Sequence, residues 1–389
     1  MKYEKIKLSD LVDTVSDTRK INKDKVVLIN TSDIFDGDVL NHSYTDNSNL
    51  RGQFKKRFEK NDILYSEIRP ANKRFAYVDF DSEDYIASTK LMVLRKKSNS
   101  ITNRFLYYCL TNDFFTEKMQ HLAEARSGTF PQITFDVLKN ESINVPSIEN
   151  QNKITMVLDN INNKIKSNNE INNNLHDLCN NLYFKLVSQL NDTNSSVESI
   201  KNVAKCVLGG TPSRTKKEYW NGSINWINSG EINKFRIIKA SEKITELGLN
   251  KSSTTLLPRG TTVLAITGAT LGQVSRLEID SCANQSVIGI ITNKKELNNY
   301  MYLSILNSIN DLVLKKTGGA QQHINKNDVE THEIIVPSTE LISQFDEIIR
   351  PLFDQISVNC FEINKLEQLR DTLLPKLMND EIDLANIEI

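Results

Sequence analysis

Cysteine is scarce and scattered in this chain. Its 389 residues hold five, Cys109, Cys179, Cys206, Cys282 and Cys360, an odd number with no C-x-x-C spacing. That pattern speaks against a disulfide framework and a cysteine zinc site, and the five read as small apolar side chains in a reducing compartment. Proline is sparse as well. All eight are isolated, so the N-P-P-[YFW] active-site motif of amino-methyltransferases is absent. The fourteen glycines contain no G-x-G and no G-x-x-x-x-G-K-[ST], which removes the dinucleotide fingerprint and the Walker A loop. No Glu-x-Lys occurs, so the usual tail of a metal-dependent nuclease core is missing. The five histidines, His42, His121, His176, His323 and His332, show neither H-x-x-x-H nor H-E-x-x-H spacing, and no G-x-S-x-G elbow is found. No run of about 18 apolar residues is present, so no membrane span is expected. The opening MKYEKIKLSDLVD lacks the apolar segment of a signal peptide, and a cytoplasmic location is expected. Charge of one sign is missing too. With 48 Lys and Arg against 49 Asp and Glu, the net charge is −1. Any nucleic-acid contact must therefore come from local patches.

What the chain does have is a repeat. Gly128 to Leu186 aligns without a gap on Gly319 to Leu377. The identities include Ile133/Ile324, Ile143/Ile334, Val145/Val336, Pro146/Pro337, Ser147/Ser338, Ile165/Ile356, Asn168/Asn359, Leu175/Leu366, Leu182/Leu373 and Lys185/Lys376. Upstream, the two copies match in kind. N-D-I-L-Y-S-E-I-R-P at 61–70, F-A-Y-V at 75–78 and Y-I-A-S-T-K-L-M-V-L at 85–94 read as three strands around a tight loop. G-T-T-V-L-A-I-T-G-A-T-L-G at 260–272, Q-V-S-R-L at 273–277 and C-A-N-Q-S-V-I-G-I-I at 282–291 read the same way. A helical stretch follows in each, at 103–121 and 298–314. Before residue 60 and between 209 and 250 the copies do not align.

After each V-P-S, apolar residues take a 4-3 spacing held for more than four heptads. The first seam is Ile154, Leu158, Ile161, Ile165, Asn168, Asn172, Leu175, Cys179, Leu182 and Leu186. The second is Phe345, Ile349, Leu352, Ile356, Asn359, Ile363, Leu366, Arg370, Leu373 and Leu377. Such heptads predict two long helices of roughly 50 Å. An isolated helix with one apolar stripe would expose too much hydrocarbon, so the two are expected to pair with each other, antiparallel, and to relate the globular units by a pseudo-twofold axis. Asn168 and Asn359 hold equivalent seam positions. Buried, they would fix register; in an imperfect coil they would face solvent. Pro351 has no counterpart, and it should kink the second helix or mark a late start. Pro375 places the helix end nearby.

The expected architecture is α+β: a first mixed α/β domain at 1–146, a long helix at 147–190, a second domain at 191–337, a second long helix at 338–380, and a tail at 381–389.

Three features could touch DNA. The first is the turn after the first repeated strand, with Arg69, Lys73 and Arg74 in copy one and Thr267 among glycines in copy two. Cationic groups hold phosphates there, and glycine admits close backbone approach. The second is the loop before Ile133 or Ile324. It offers Arg126, Ser127, Thr129 and Gln132 in copy one, and Lys316, Thr317, Gln321, Gln322 and His323 in copy two. Gln can read adenine bidentately, and Arg or Lys can read guanine. The third is the insert at 209–231, with Arg214, Lys216 and Lys217 near Trp220 and Trp226. Trp226, beside Ile227, reads as a core residue.

These residues resemble the specificity subunit of type I restriction–modification systems. The matching pieces are L-G-G-T-P-S…W at 208–220, V-L-A-I-T-G-A-T-L-G at 263–272, A-N-Q-S-V at 283–287, G-G-A-Q-Q-H-I at 318–324 and I-V-P-S at 335–338. D-I-L-Y-S-E-I-R-P, S-G-T-F-P-Q-I and N-V-P-S correspond in copy one. The N-terminal 60 residues depart most. The resemblance implies two target recognition domains that each read one half of an asymmetric, bipartite site on double-stranded DNA. The helices would set the gap and dock two methyltransferase (modification) subunits, joined by restriction subunits that translocate and cut. S-adenosylmethionine, ATP and Mg²⁺ would then sit on those partners, with no cofactor, metal or catalytic residue in this chain. A standalone methyltransferase or nuclease, or a coiled-coil scaffold that binds no DNA, are the competing readings.

Overall fold

The computed structural model describes residues 3–48, 52–314, 323–378 and 381–382. By internal contacts the chain forms two compact units, Met1–Lys164 with Leu366–Ile389, and Ile165–Lys365. Each long helix, Ile148–Val187 and Thr339–Met378, gives one end to the first unit and the rest to the second.

The first unit is built on two four-stranded sheets. One is antiparallel, in the order Val12–Thr14, Leu91–Lys96, Ile63–Ser66, Phe75–Tyr77. The other runs Tyr44–Asp46, Lys25–Ile29, Tyr85–Ser88, Phe54–Lys56, with its two central strands parallel. The stretch expected as one strand over 85–94 is therefore two, broken at Thr89 and Lys90 where the chain passes between sheets. Ile63–Ser66 is buried along its length, as its unbroken apolar run requires. The strand Glu4–Lys7 pairs with Ser142–Val145, which brings the start of the domain to its end.

The helical stretch at 103–121 divides into Asn103–Thr111 and Asp113–Arg126. Asn112 causes the division: its side-chain oxygen accepts from the Phe115 amide at 2.8 Å, capping the second helix. Phe105, Leu106, Leu110 and Met119 join one core with Ile154 and Leu158 of the first long helix and Leu374 and Leu377 of the second. Each such side chain contributes about 1.5–3 kcal/mol by leaving water.

The second unit repeats the plan. Ser195–Ser199 pairs with Glu333–Pro337. One sheet has the order Ala204–Leu208, Val287–Thr292, Thr262–Ala265, Val274–Arg276. The other sets Trp220–Ile227 between Glu242–Ile244 and Cys282–Ala283. The break between Ala283 and Val287 matches that at Thr89–Lys90.

The structure also aligns what the sequences did not. Lys25–Ile29 and Trp220–Ile227 each lie parallel to the corresponding strand of their sheet. Each is followed by an Asn-led capping box: the Asn30 amide donates to Asp33 at 2.7 Å, and the Asn228 amide to Glu231 at 3.1 Å. The shared signal is I-N-x-x-[DE]-I at 29–34 and 227–232.

The two long helices are 40 residues each and pair antiparallel within each unit. In the second unit Asn168 donates to Glu362 at 2.7 Å, and Asn359 to Asn172 at 2.9 Å, so partners run in opposite directions. In the first, Arg370 donates to Asn162 at 3.3 Å. Of the seam, Ile154, Leu158, Ile161, Asn168, Asn172, Cys179, Leu186, Phe345, Ile349, Ile356, Asn359 and Leu377 are buried; Ile165, Leu175, Leu182, Leu352, Ile363, Leu366 and Leu373 are half-buried. The seam asparagines thus face inward, and the buried amide pair joins Asn172 to Asn359.

Pro351 does not delay the second helix, which begins at Thr339. Pro351 is exposed and lies inside the helix as it runs on to Met378. All five cysteines are free and four are buried, and burial pushes the Cys179 and Cys206 thiols up to about 12. Among the described residues, no helix is long and apolar enough to cross a membrane.

Candidate nucleic-acid interface

In the first unit two predicted segments, far apart in sequence, are stitched together by main-chain bonds. The Arg69 amide donates to the Pro131 carbonyl at 3.1 Å and the Ile133 amide to that of Glu67 at 2.8 Å. Ile68 and Gln132 face each other as an isolated bridge. The turn is tight: Arg69 and Lys73, which flank Pro70–Asn72, adopt left-handed φ of 44° and 52°. Such conformations cost on the order of 1–3 kcal/mol each in a non-glycine residue and concentrate at functional sites. Two contacts with the helix Asp113–Arg126 hold the turn: the Ala71 amide donates to Gln120 at 3.0 Å, and Lys73 pairs with Asp113 at 2.6 Å.

The side chains then sort themselves. Arg69 is exposed, and its guanidinium has no hydrogen bond or ion pair among the described residues. Arg126 is exposed at the end of its helix and makes one long bond of 3.3 Å to Thr134. Ser127 accepts from the Phe130 amide at 3.3 Å and shapes the loop. Thr129 is exposed, Gln132 is half-buried, and Phe130 stands 49% exposed between them. Arg74 points elsewhere. It donates to the Ser32 and Ile34 carbonyls at 3.1 and 3.0 Å and lies over Phe35, so it ties down the hairpin below. Lys73, with its carboxylate partner, serves the turn first.

The second unit has the same stitching. Thr267 faces His323 as an isolated bridge, and the Ile324 amide donates to Ile266 at 3.1 Å. The Ile266 amide donates onward to Ser286 at 2.9 Å, which brings the A-N-Q-S turn into the row. There Thr211 donates to Gln285 at 2.5 Å. The double glycine before Thr211 fits this approach: a Cβ on Gly209 would sit 2.1 Å from the Asn284 carbonyl oxygen. Gly268, at φ +70° with nothing near its Cβ position, turns the chain after Thr267.

The insert contributes less than its charges suggest. Arg214 is bidentate to Glu242 at 2.8 and 2.6 Å and stacks 3.7 Å from the Trp220 ring. Lys216 donates to the Tyr219 hydroxyl at 3.0 Å. Lys217 remains exposed. Trp226 is buried and donates to the Gly210 carbonyl at 3.0 Å, which makes it a core residue. Lys316, Thr317, Gln321 and Gln322 lie outside the described residues.

Sequence reasoning passed over Gln285 and Thr211, and Thr89 and Lys90 at the matching break in the first unit. There the Glu67 amide donates to the Lys90 carbonyl at 3.0 Å. The usable signal was two or three polar residues, Thr89–Lys90 and Asn284–Ser286, interrupting an apolar strand in each copy. Each unit therefore presents a row of turns held by main-chain bonds, carrying different side chains: cationic and aromatic in the first unit, hydroxyl, amide and imidazole in the second. Such groups hydrogen-bond and hold phosphates.

Comparison with known proteins agrees with this duplication. A model of the type I restriction modification DNA specificity domain matches residues 1–177 and again 193–369. The chain is 28% identical to the type I restriction enzyme HindI specificity subunit of Haemophilus influenzae over an alignment of 433 residues, covering 92% of this chain and 94% of that one. It is 23% identical to the MjaIX specificity subunit of Methanocaldococcus jannaschii over 310 residues, covering 74% of this chain and 71% of that one. The crystal structure of a type I restriction-modification system S subunit from M. genitalium shares the fold, with a TM-score of 0.60 at 16% identity over 99% of this chain and 97% of that one.

Proposed function

The chain belongs to the type I restriction modification DNA specificity family, as a specificity subunit with two copies of the domain, and on that premise we propose that each copy reads one half of an asymmetric, bipartite site on double-stranded DNA. The observation that carries this reading is the pair of equivalent bridges, Ile68 with Gln132 and Thr267 with His323. One frame, repeated, presents two unlike sets of side chains, so the two halves of the site differ. Arg69 and Arg126 hold phosphates beside the first half and Lys217 beside the second, while Gln132, Gln285 and His323 face base edges. The paired helices set the gap between the halves and dock two methyltransferase subunits; restriction subunits join that assembly. The chain itself carries out no chemistry. S-adenosylmethionine, ATP and Mg²⁺ belong to the partners.

The test is single-molecule detection of methylated adenine across the host genome, with and without this gene. One asymmetric motif with a fixed gap should lose its methylation on deletion. An unchanged pattern in a strain that expresses the complex would refute the reading.

A further inference from the structure

Building on the reading of two half-sites separated by a gap, we propose that Arg236, Arg259, Arg276 and Lys239 form a latch that fixes where the second recognition domain sits along the second long helix, and thereby which gap is accepted. The latch lies wholly within the second unit. Its centre is Glu278, fully buried, which pairs with Arg276 and lies 3.6 Å from the equally buried Arg236. The Arg236 guanidinium is walled by rings, 4.3 Å from Phe235, 4.6 Å from Tyr302 and 5.2 Å from Phe353 of the long helix. It donates to the Tyr302 hydroxyl at 3.0 Å. Arg276 reaches the same Phe353 ring at 5.4 Å.

Two outer contacts extend the grip along one helix face. Arg259 donates to Ser357 at 3.4 Å and Lys239 to Asn364 at 2.8 Å. From 353 to 364 the contacts span about 16 Å at 1.5 Å per residue. A slip of one turn, about 5.4 Å, would take the Phe353 ring from beside two guanidiniums that share one carboxylate. Glu278 stays with its arginines in such a slip, but the ring contacts of both guanidiniums and the bonds to Ser357 and Asn364 are forfeited together, and that loss holds the register. The first unit uses other chemistry at its helix: Arg104 pairs with Asp159 at 2.7 Å and stacks on Tyr77, Tyr107 and Tyr108. The residues of the latch are positioning residues, since they touch the helix and not the row of turns.

The experiment uses the complex assembled with its methyltransferase subunits, on DNA that carries both half-sites at gaps from two base pairs shorter to two longer than the natural one. The unaltered complex should methylate one gap. R259A/K239A removes the bonds to Ser357 and Asn364 and the 3.6 Å pair of Arg259 with Glu278 but leaves Arg236 and Arg276 on that carboxylate, and it should raise methylation at neighbouring gaps at least tenfold relative to the natural gap, with the bases of both half-sites unchanged. R236M/R276M/E278M, which replaces the buried carboxylate and both of its buried arginines with apolar side chains, should do the same. An unchanged gap profile in R259A/K239A overturns the latch, whether or not R236M/R276M/E278M assembles. An unaltered complex that methylates every gap alike overturns the two-half-site reading instead.

Discussion

Consider what happens when Asn359 is replaced by leucine. Its side chain is 4% exposed and donates to the Asn172 oxygen at 2.9 Å, and Asn172 is itself 2% exposed. Leucine removes the donor and strands the Asn172 oxygen in a site that water does not reach. A buried polar group without a partner costs about 1–3 kcal/mol. Asn172→Leu strands the Asn359 amide in the same way, so each single variant should lose about 1–3 kcal/mol. The double variant leaves no stranded group and packs two apolar side chains at the seam, so its stability should return close to that of the parent. The cycle should thus show a coupling of about 2–6 kcal/mol, the sum of the two single losses, roughly 30- to 25,000-fold in the unfolding equilibrium. Urea titrations of the four proteins at equal m-value measure it. Single variants that each lose under about 0.5 kcal/mol, and add without coupling, would refute the buried amide pair.

Two further outcomes follow from other groups. His176 on the first long helix has its pKa pushed below the ordinary 6.5, first by burial and then by the charge of Arg236. The unfolded chain then binds a proton near pH 6.5 that the folded chain refuses, so stability is present above pH 6.5 and declines as pH falls through the folded value. His176→Leu should flatten that decline between pH 7.5 and 5.5 in urea midpoints, and an equal decline in both proteins would exclude the assignment. Arg69→Gln and Arg126→Gln should each lower the slope of log affinity against log salt by about one, without altering the bases preferred. A steady slope would mean that neither side chain meets phosphate.

Much of this molecule is written in patterns of short range. The heptads name the helix seam because an apolar stripe must find a partner, and burial follows it from Ile154 to Leu377. The seam did not say which asparagines meet; that depends on the antiparallel offset, which pairs Asn172 rather than Asn168 with Asn359. The breaks at Thr89–Lys90 and Asn284–Ser286 carry polar residues inside apolar runs, but such a short interruption fits a single strand with a turned-out residue as well as a change of sheet, so the pattern alone did not separate the two. Charge was the least faithful guide. Arg74 and Arg214 look like DNA ligands in sequence, yet their partners Ser32, Ile34 and Glu242 are 42, 40 and 28 residues away, beyond any local pattern. The two loops were legible as a repeated element because both copies carry them, although their meeting across Ile68 and Gln132 was not.

The bonds that hold those loops together run from amide to carbonyl and owe nothing to side-chain identity. Ile133 to Glu67 and Ile324 to Ile266 would persist if Gln132, His323, Thr267 or Arg69 became some other residue. A surface of this kind can be rewritten letter by letter while its spelling frame stays intact. On the proposed reading of these loops, a lineage that carries them can exchange one recognised word for another by a few point changes, keeping the main-chain frame at every step.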